Sequence, residues 1–151
     1  MELHILIDSS TKRTSKTDKY GESTAAWAAW WRDELKKEKP IRCGIHYLRR
    51  EGPNKIFYEG IIRALEQCLD LCWDDNIFIW GDCMAVIDQL NGKRNIDWMR
   101  SKNNQVKALI KKYEQKNNTV SFEYLNEEKI LYKKIDQLAK RSRKFILDIL
   151  K

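Results

Sequence analysis

A change in hydrophobic pattern near Pro53 most constrains the fold of this chain. Before it, apolar residues run together or alternate with polar ones, which is typical of strands. Three segments have this pattern: Leu3–Ile7, Thr24–Trp31 and Arg42–Leu48. After it, apolar residues recur on one helical face, and they are Phe57, Ile61, Leu65, Cys68 and Cys72. We therefore predict three strands and then a helix, with Asn54 as its N-cap.

The rest of the chain alternates between strands and helices. Ile77–Trp80 is an apolar run that predicts a buried strand, and Gly81-Asp82 leads from it into a short helix that ends at Asn91-Gly92. Later segments predict a helix over Val106–Tyr113, a strand over Val120–Tyr124 and a long terminal helix over Leu131–Ile149. The polar segment Ser9–Gly21 is expected to connect the first two strands.

The order of these elements, β-β-β-α-β-α-α-β-α, predicts an α/β fold in a single domain over residues 1–151. Three antiparallel strands followed by βα units give a mixed five-stranded sheet flanked by helices. The alanines of Thr24–Trp31 also suit a helix, but the position of this segment favours a strand.

The net charge and the cysteines indicate which class of binding partner and which cellular compartment to expect. Lys and Arg outnumber Asp and Glu by 29 to 22. This excess favours polyanionic partners, because phosphate contacts release counterions, although a basic surface also serves solubility. The four cysteines form no C-x-x-C pair and neither histidine pairs with one at ligand spacing, so we expect no zinc site. Cys68 and Cys72 lie four residues apart on an apolar helical face, which predicts small core residues. Reduced thiols fit an intracellular, most simply cytoplasmic, protein, with the nucleus or an organelle remaining open. No run of apolar residues is long enough for a membrane span.

Four acidic residues lie at or near the ends of predicted elements: Asp8, Glu59, Asp82 and Asp136. Each has an ordinary explanation: a polar strand end for Asp8, the helix dipole in a first turn for Glu59, an N-cap for Asp82 and a solvated helix face for Asp136. As a set they are more informative, because sites in open α/β sheets gather beyond the carboxyl ends of strands. We predict that Asp8 and Asp82 meet there, and that Glu59 and Asp136 reach the same edge from packed helices.

Clustered carboxylates repel one another and require a counter-cation. Oxygen-rich acidic sites suit Mg²⁺ or Mn²⁺, which also bind substrate phosphate. Two such ions about 3.5–4 Å apart can activate a water and neutralise the leaving oxygen of a phosphodiester. If they meet, the four acids therefore suit metal-dependent chemistry on a phosphate-containing substrate.

Four motifs follow one another along nearly the whole chain: Leu6–Ser10, Tyr58–Leu65, Ile79–Cys83 with Val86–Gly92, and Ile135–Ala139. Together they resemble type 1 ribonuclease H, in the variant found in plant and retroelement proteins. The third motif is the most specific, because its strand, Gly-Asp pair, helix and Gln-Leu-Asn-Gly stop all correspond. The resemblance implies a ribonuclease H-like fold and an RNA–DNA hybrid as substrate. It also implies that the catalytic metal ligands, which hold two Mg²⁺ or Mn²⁺ ions, are Asp8, Glu59, Asp82 and Asp136.

The sequence departs from the family's pattern in places. Ser9 follows the first aspartate, where the family has glycine, and Ile56-Phe57-Tyr58 stands where bacterial and retroviral members have asparagine or glutamine. Many members carry a mobile histidine before the final helix, and Leu125–Ile130 has none. These departures concern the grip on the hybrid and product release rather than metal binding.

Basic residues surround a tryptophan in the segment after Asn91-Gly92: Lys93, Arg94, Trp98, Arg100 and Lys102. Such groups can follow a phosphate backbone while the ring stacks on a sugar or base. A solvated loop with a packed tryptophan explains them equally well. We take them as the candidate nucleic-acid-binding residues.

The leading hypothesis is an endonuclease that cuts the RNA strand of RNA–DNA hybrids. One alternative is a non-catalytic nucleic-acid-binding module that kept the fold. Another is a different nuclease of the same fold, although Ser10 stands where proofreading exonucleases have a second acid. Oligomeric state is open, with a monomer as the working expectation, and the resemblance allows association with a reverse transcriptase or a larger assembly.

Overall fold

The computed structural model describes residues 1–12, 22–32, 40–49, 51–95 and 99–125. Within them, five strands form one mixed sheet in the order β3-β2-β1-β4-β5. The strands are β1 (Glu2–Lys12), β2 (Glu22–Trp31), β3 (Arg42–Arg49), β4 (Asn76–Gly81) and β5 (Thr119–Tyr124). The first three are antiparallel, and β4 is parallel to both β1 and β5. This confirms the predicted sheet; the predicted terminal helix lies outside the described residues.

Three α-helices connect or cover these strands in the described part of the chain: α1 (Pro53–Cys68), α2 (Met84–Leu90) and α3 (Arg100–Gln115). A 3-10 turn, Leu69–Leu71, follows α1. The N-cap of α1 is Gly52, not Asn54 as predicted, because Pro53 at the first position begins the helix earlier. The helix also stops before Cys72, which adopts an extended backbone. Gly92 ends α2 with a φ of +74°, which favours glycine.

Strand β1 continues well past the apolar run that predicts it. Residues 8 to 12 keep pairing with β2, up to Lys12 opposite Glu22, so the predicted connection begins several residues later. The parallel pairing with β4 stops earlier, at Ile7 opposite Gly81. A partner strand on one side is enough to keep polar sequence extended, and the sequence pattern of β1 alone does not show this.

The core is packed mainly between α1 and one face of the sheet. It includes Ile5, Ile7 and Ile79 from the sheet, and Phe57 and Ile61 from α1. The opposite face of the sheet carries a smaller apolar cluster, made of Leu6, Ala26, Ala28, Trp30 and Leu125. Consecutive residues of β1 thus serve different faces, as strand geometry requires.

Small residues bring α1 close to the sheet. A Cβ added at Gly60 would lie 2.9 Å from Ala25 Cβ and 3.0 Å from Ile7 Cγ2. A Cβ at Gly81 would lie 2.0 Å from Phe57 Cζ. Glycine at these positions therefore sets how near α1, and the acid that precedes Gly60, can come to the strands.

Cys68 and Cys72 are fully buried and unbridged, as predicted for core thiols. Burial raises the pKa of each thiol to about 12, which keeps both neutral. Among the described residues, none of the helices has the length and apolar character needed to cross a membrane.

Candidate active site

Asp8 and Asp82 come level with each other where β4 ends. The parallel register pairs Ile7 with Gly81, and each aspartate is the next residue after one of these. Asp8 has only 4% of its surface exposed, and Asp82 is partly buried. The two strands are thus neighbours, as the predicted meeting of these acids requires.

Asp82 is not the N-cap of α2. The cap position belongs to Cys83, and no side chain caps the helix there. Cys83 Sγ donates a hydrogen bond to Asn54 Oδ1 at 3.3 Å, which ties the turn after β4 to the start of α1. Burial raises the pKa of the Cys83 thiol. The ordinary explanation for Asp82, helix capping, therefore does not hold in the structure.

Glu59 lies in the second turn of α1, because the helix begins at Pro53, and the first turn contains no acid. The helix dipole therefore does not explain Glu59, contrary to the alternative raised from the sequence. Glu59 is 7% exposed, so its carboxylate needs positive partners. Lys102 Nζ binds Oε1, while His46 Nε2 and Arg63 Nε lie 3.7 Å and 3.9 Å from Oε2.

His46 contributes little positive charge to this group near neutral pH. Its pKa is lowered from the ordinary value of 6.5, first by burial and then by the charge of Arg63. Arg63 is about half exposed and is also 3.7 Å from Glu66. Lys102 is therefore the main counter-charge to Glu59 in the described residues.

Lys102 was grouped by sequence with the candidate nucleic-acid-binding residues, and the structure turns its ammonium towards Glu59. Lys93 and Arg94 are exposed in the turn after α2, where Arg94 Nη2 lies 3.8 Å from Asp88 Oδ2. Arg100 is exposed at the start of α3. Trp98 is outside the described residues. The nucleic-acid-binding role of this set stays a prediction.

A buried chain of hydrogen bonds runs beside Glu59 and was missed by sequence reasoning. Asn103 Nδ2 donates to Tyr58 Oη at 3.2 Å, and Tyr58 Oη donates to Gln89 Oε1 at 2.8 Å. Gln89 Nε2 in turn donates to the Asn95 carbonyl at 3.1 Å. The chain links α3, α1, α2 and the basic turn. In the sequence, the only sign of this chain is Gln89, the glutamine of the Gln-Leu-Asn-Gly motif. The spacing of residues does not show which groups Gln89 binds.

The chemistry of these acids suits a hard divalent cation. Asp8 and Asp82 offer carboxylate oxygens at one strand end, and Glu59 offers another that attracts cationic groups. In residues 1–12, 22–32, 40–49, 51–95 and 99–125, no three His, Cys, Asp or Glu side chains are close enough to share a metal ion. Asp136 lies outside these ranges. Metal ligation by the four acids stays a prediction.

Comparisons with known proteins agree with this fold. A family model described as reverse transcriptase-like matches residues 54–142, more than half of the chain. No curated protein matches the sequence. Among solved structures, ribonuclease H1 from the archaeon Halobacterium salinarum is 20% identical with a TM-score of 0.71, covering 95% of this chain and 98% of its own.

A second similar structure is LC11 ribonuclease H1, isolated from compost by a metagenomic approach. It is 16% identical with a TM-score of 0.75, over 97% of this chain and 98% of its own. LC11 ribonuclease H1 has also been solved in complex with RNA/DNA hybrid, and that structure matches 90% of this chain and 92% of its own at 16% identity and a TM-score of 0.71. At these identities the likeness establishes the fold. The sequence motifs and the strand order of the present chain agree with the matching family model. The chain belongs to the reverse transcriptase-like family and has the fold of type 1 ribonuclease H.

Proposed function

We propose that the protein is a metal-dependent endonuclease that hydrolyses the RNA strand of RNA–DNA hybrids. The observation that carries this is the level placement of Asp8 and Asp82 at the end of β4. The two explanations considered from the sequence do not apply, because Asp8 lies buried within a continuing strand and Asp82 is not the N-cap of α2.

Asp8 and Asp82 would hold metal from adjacent strands, with Glu59 and Asp136 completing the set from helices. Two Mg²⁺ or Mn²⁺ ions would supply an activated water and neutralise the leaving oxygen. The protein's own contribution is placement. Gly60 and Gly81 let α1 approach the sheet, and the bond from Cys83 to Asn54 fixes the turn that carries Asp82.

Substrate binding is assigned to the basic surface after α2. Lys93 and Arg94 are exposed in the turn that the Gln89–Asn95 hydrogen bond anchors, and Arg100 is exposed at the start of α3. Contacts to phosphate and 2′-hydroxyl groups read duplex shape rather than sequence. The hybrid bound by LC11 ribonuclease H1 supports this choice of substrate.

The test is a cleavage assay on four labelled substrates: RNA–DNA hybrid, duplex RNA, duplex DNA and single strands, each with Mg²⁺ or Mn²⁺. We expect the RNA strand of the hybrid to be cut, and Asp82→Asn to abolish cutting while the fold is retained. Asp88→Asn is the matched control, since Asp88 is a partly exposed acid on α2 that pairs with Arg94. Cleavage of DNA ends or junctions would indicate a different nuclease, and no cleavage of the hybrid would contradict the proposal.

A second candidate, a non-catalytic hybrid-binding module, is favoured by one observation: Lys102 already neutralises Glu59. Such a module would bind hybrid without cutting it. Its binding would also be unchanged by Asp82→Asn in the presence of Mg²⁺. The same assay, run with a binding measurement, therefore separates the two candidates.

A further inference from the structure

The pairing of Lys102 with Glu59 is not explained by the stability of the helix that carries Lys102. Lys102 lies in the first turn of α3, which begins at Arg100 and has no acid in that turn. A cation is disfavoured there, because the amino end of a helix carries partial positive charge. The unfavourable interaction of Lys102 with the amino end of α3 is offset by its pairing with the buried carboxylate of Glu59 on α1.

The backbone beneath Lys102 is fixed, whereas its side chain is long and flexible. The next residue, Asn103, is fully buried and donates to Tyr58, the residue before Glu59. Lys102 itself keeps 21% of its side chain exposed, against 9% for Glu59. A lysine stem anchored in this way can redirect its ammonium towards solvent without any movement of α3.

We propose that Lys102 is an exchangeable counter-cation: it neutralises Glu59 in the metal-free protein and is released to bind a nucleic-acid phosphate when a divalent cation takes its place. This inference rests on the proposed function, because it assumes that Glu59 is a metal ligand and that nucleic acid is the substrate. Its consequence is reciprocal coupling, in which metal strengthens nucleic-acid binding and nucleic acid strengthens metal binding. The polar chain from Asn103 to Asn95 connects the residue after Lys102 with the basic turn that follows α2.

The first test measures binding of a labelled RNA–DNA hybrid in EDTA, where cleavage does not interfere. Glu59→Gln should release Lys102 and tighten binding by roughly three- to tenfold. Lys102→Met should change binding little, because Lys102 is engaged with Glu59 in the parent protein. In Glu59→Gln/Lys102→Met the gain should disappear. Glu66→Gln is the matched control, since Glu66 is an exposed acid on the same helix.

An equal gain in Glu59→Gln and in the double variant would overturn the inference, because a general loss of negative charge would then explain it. The hybrid affinity of Glu66→Gln shows the size of that general effect. This experiment needs no catalysis, so its outcome is independent of whether the parent protein cuts the hybrid. Failure of the cleavage assay would instead count against the proposed function alone.

The second test titrates Mg²⁺ alone into the protein by calorimetry. Lys102→Met should bind Mg²⁺ roughly three- to tenfold more tightly, because no ammonium competes for Glu59. Lys107→Met is the control, since Lys107 is an exposed lysine further along α3. Unchanged or weaker Mg²⁺ binding by Lys102→Met would overturn the inference even if Glu59→Gln failed to fold.

Discussion

Tyr58 Oη donates a hydrogen bond to Gln89 Oε1 across 2.8 Å in the buried space between α1 and α2. Tyr58 Oη also accepts from Asn103, so a single hydroxyl holds three helices together immediately before Glu59. The whole arrangement is enclosed, because all three residues are at most 3% exposed. Positioning of the candidate site thus depends on polar packing as well as on the apolar core.

Tyr58→Phe should therefore be costly. It would leave Gln89 Oε1 and Asn103 Nδ2 without their partner, and an unsatisfied buried group costs about 1–3 kcal/mol. Urea unfolding of the variant gives the free energy of unfolding directly. Tyr124→Phe, at an exposed tyrosine of β5, is the control and should change it by less than about 0.5 kcal/mol. Equal effects of the two substitutions would mean that the buried chain contributes nothing specific.

Gly81→Ala should destabilise the protein through a direct clash with Phe57. The added Cβ would lie 2.0 Å from Phe57 Cζ, so the ring or the strand must move. Overpacking of this kind typically costs about 1–3 kcal/mol. Phe57→Leu should partly rescue Gly81→Ala, and melting temperatures of the two single variants and the double variant measure this. Additive losses in the double variant would contradict the assigned contact.

Thiol reactivity should separate the cysteines by burial. Cys68 and Cys72 have thiol pKa values of about 12 and are fully buried, so at pH 8 neither should react with iodoacetamide in the folded protein. Cys43 on β3 is exposed and should be modified. Mass spectrometry of peptides from folded and urea-unfolded samples measures this. Rapid modification of Cys68 in the folded protein would show that α1 does not pack as described.

Stability should fall as the pH drops below about 6.5, partly through His4. Burial lowers the pKa of His4, outweighing the neighbouring Glu2, and its Nδ1 accepts a hydrogen bond from Trp80 Nε1 at 3.1 Å. The unfolded chain therefore takes up a proton at higher pH than the folded protein does. The contribution of neutral His4 is full above its unfolded pKa and declines as the pH falls through that value towards the folded one.

Urea unfolding at pH 7.5, 6.0 and 5.0 tests this assignment. His4→Asn keeps an acceptor for Trp80 and does not titrate, so the loss of stability between pH 7.5 and 5.0 should be smaller than in the parent. An identical loss in both proteins would exclude His4 as a contributor.

The apolar pattern of the sequence is sufficient for four of the strands, whereas β2 is recognised from its position in the chain because its alanines also suit a helix. Pairing across strands is less visible: residues 8 to 12 of β1 are polar, and their extended state depends on β2. The same limit applies to the site. The apolar runs before Asp8 and Asp82 are enough to place both acids near the end of β4, although β1 continues past Asp8. The partner of Glu59 is Lys102, 43 residues further along the chain, and no spacing predicts it. Only packing of α3 against α1 brings them together.

Melting curves with and without Mg²⁺, for the parent protein and Asp82→Asn, test the central claim most directly. If Asp8 and Asp82 share a divalent cation at the end of β4, removal of one charge should raise the metal-free melting temperature by relieving repulsion. It should also reduce the further rise that Mg²⁺ gives the parent protein. An Asp82→Asn protein that melts lower without metal, and gains as much from Mg²⁺ as the parent does, would contradict a shared carboxylate site.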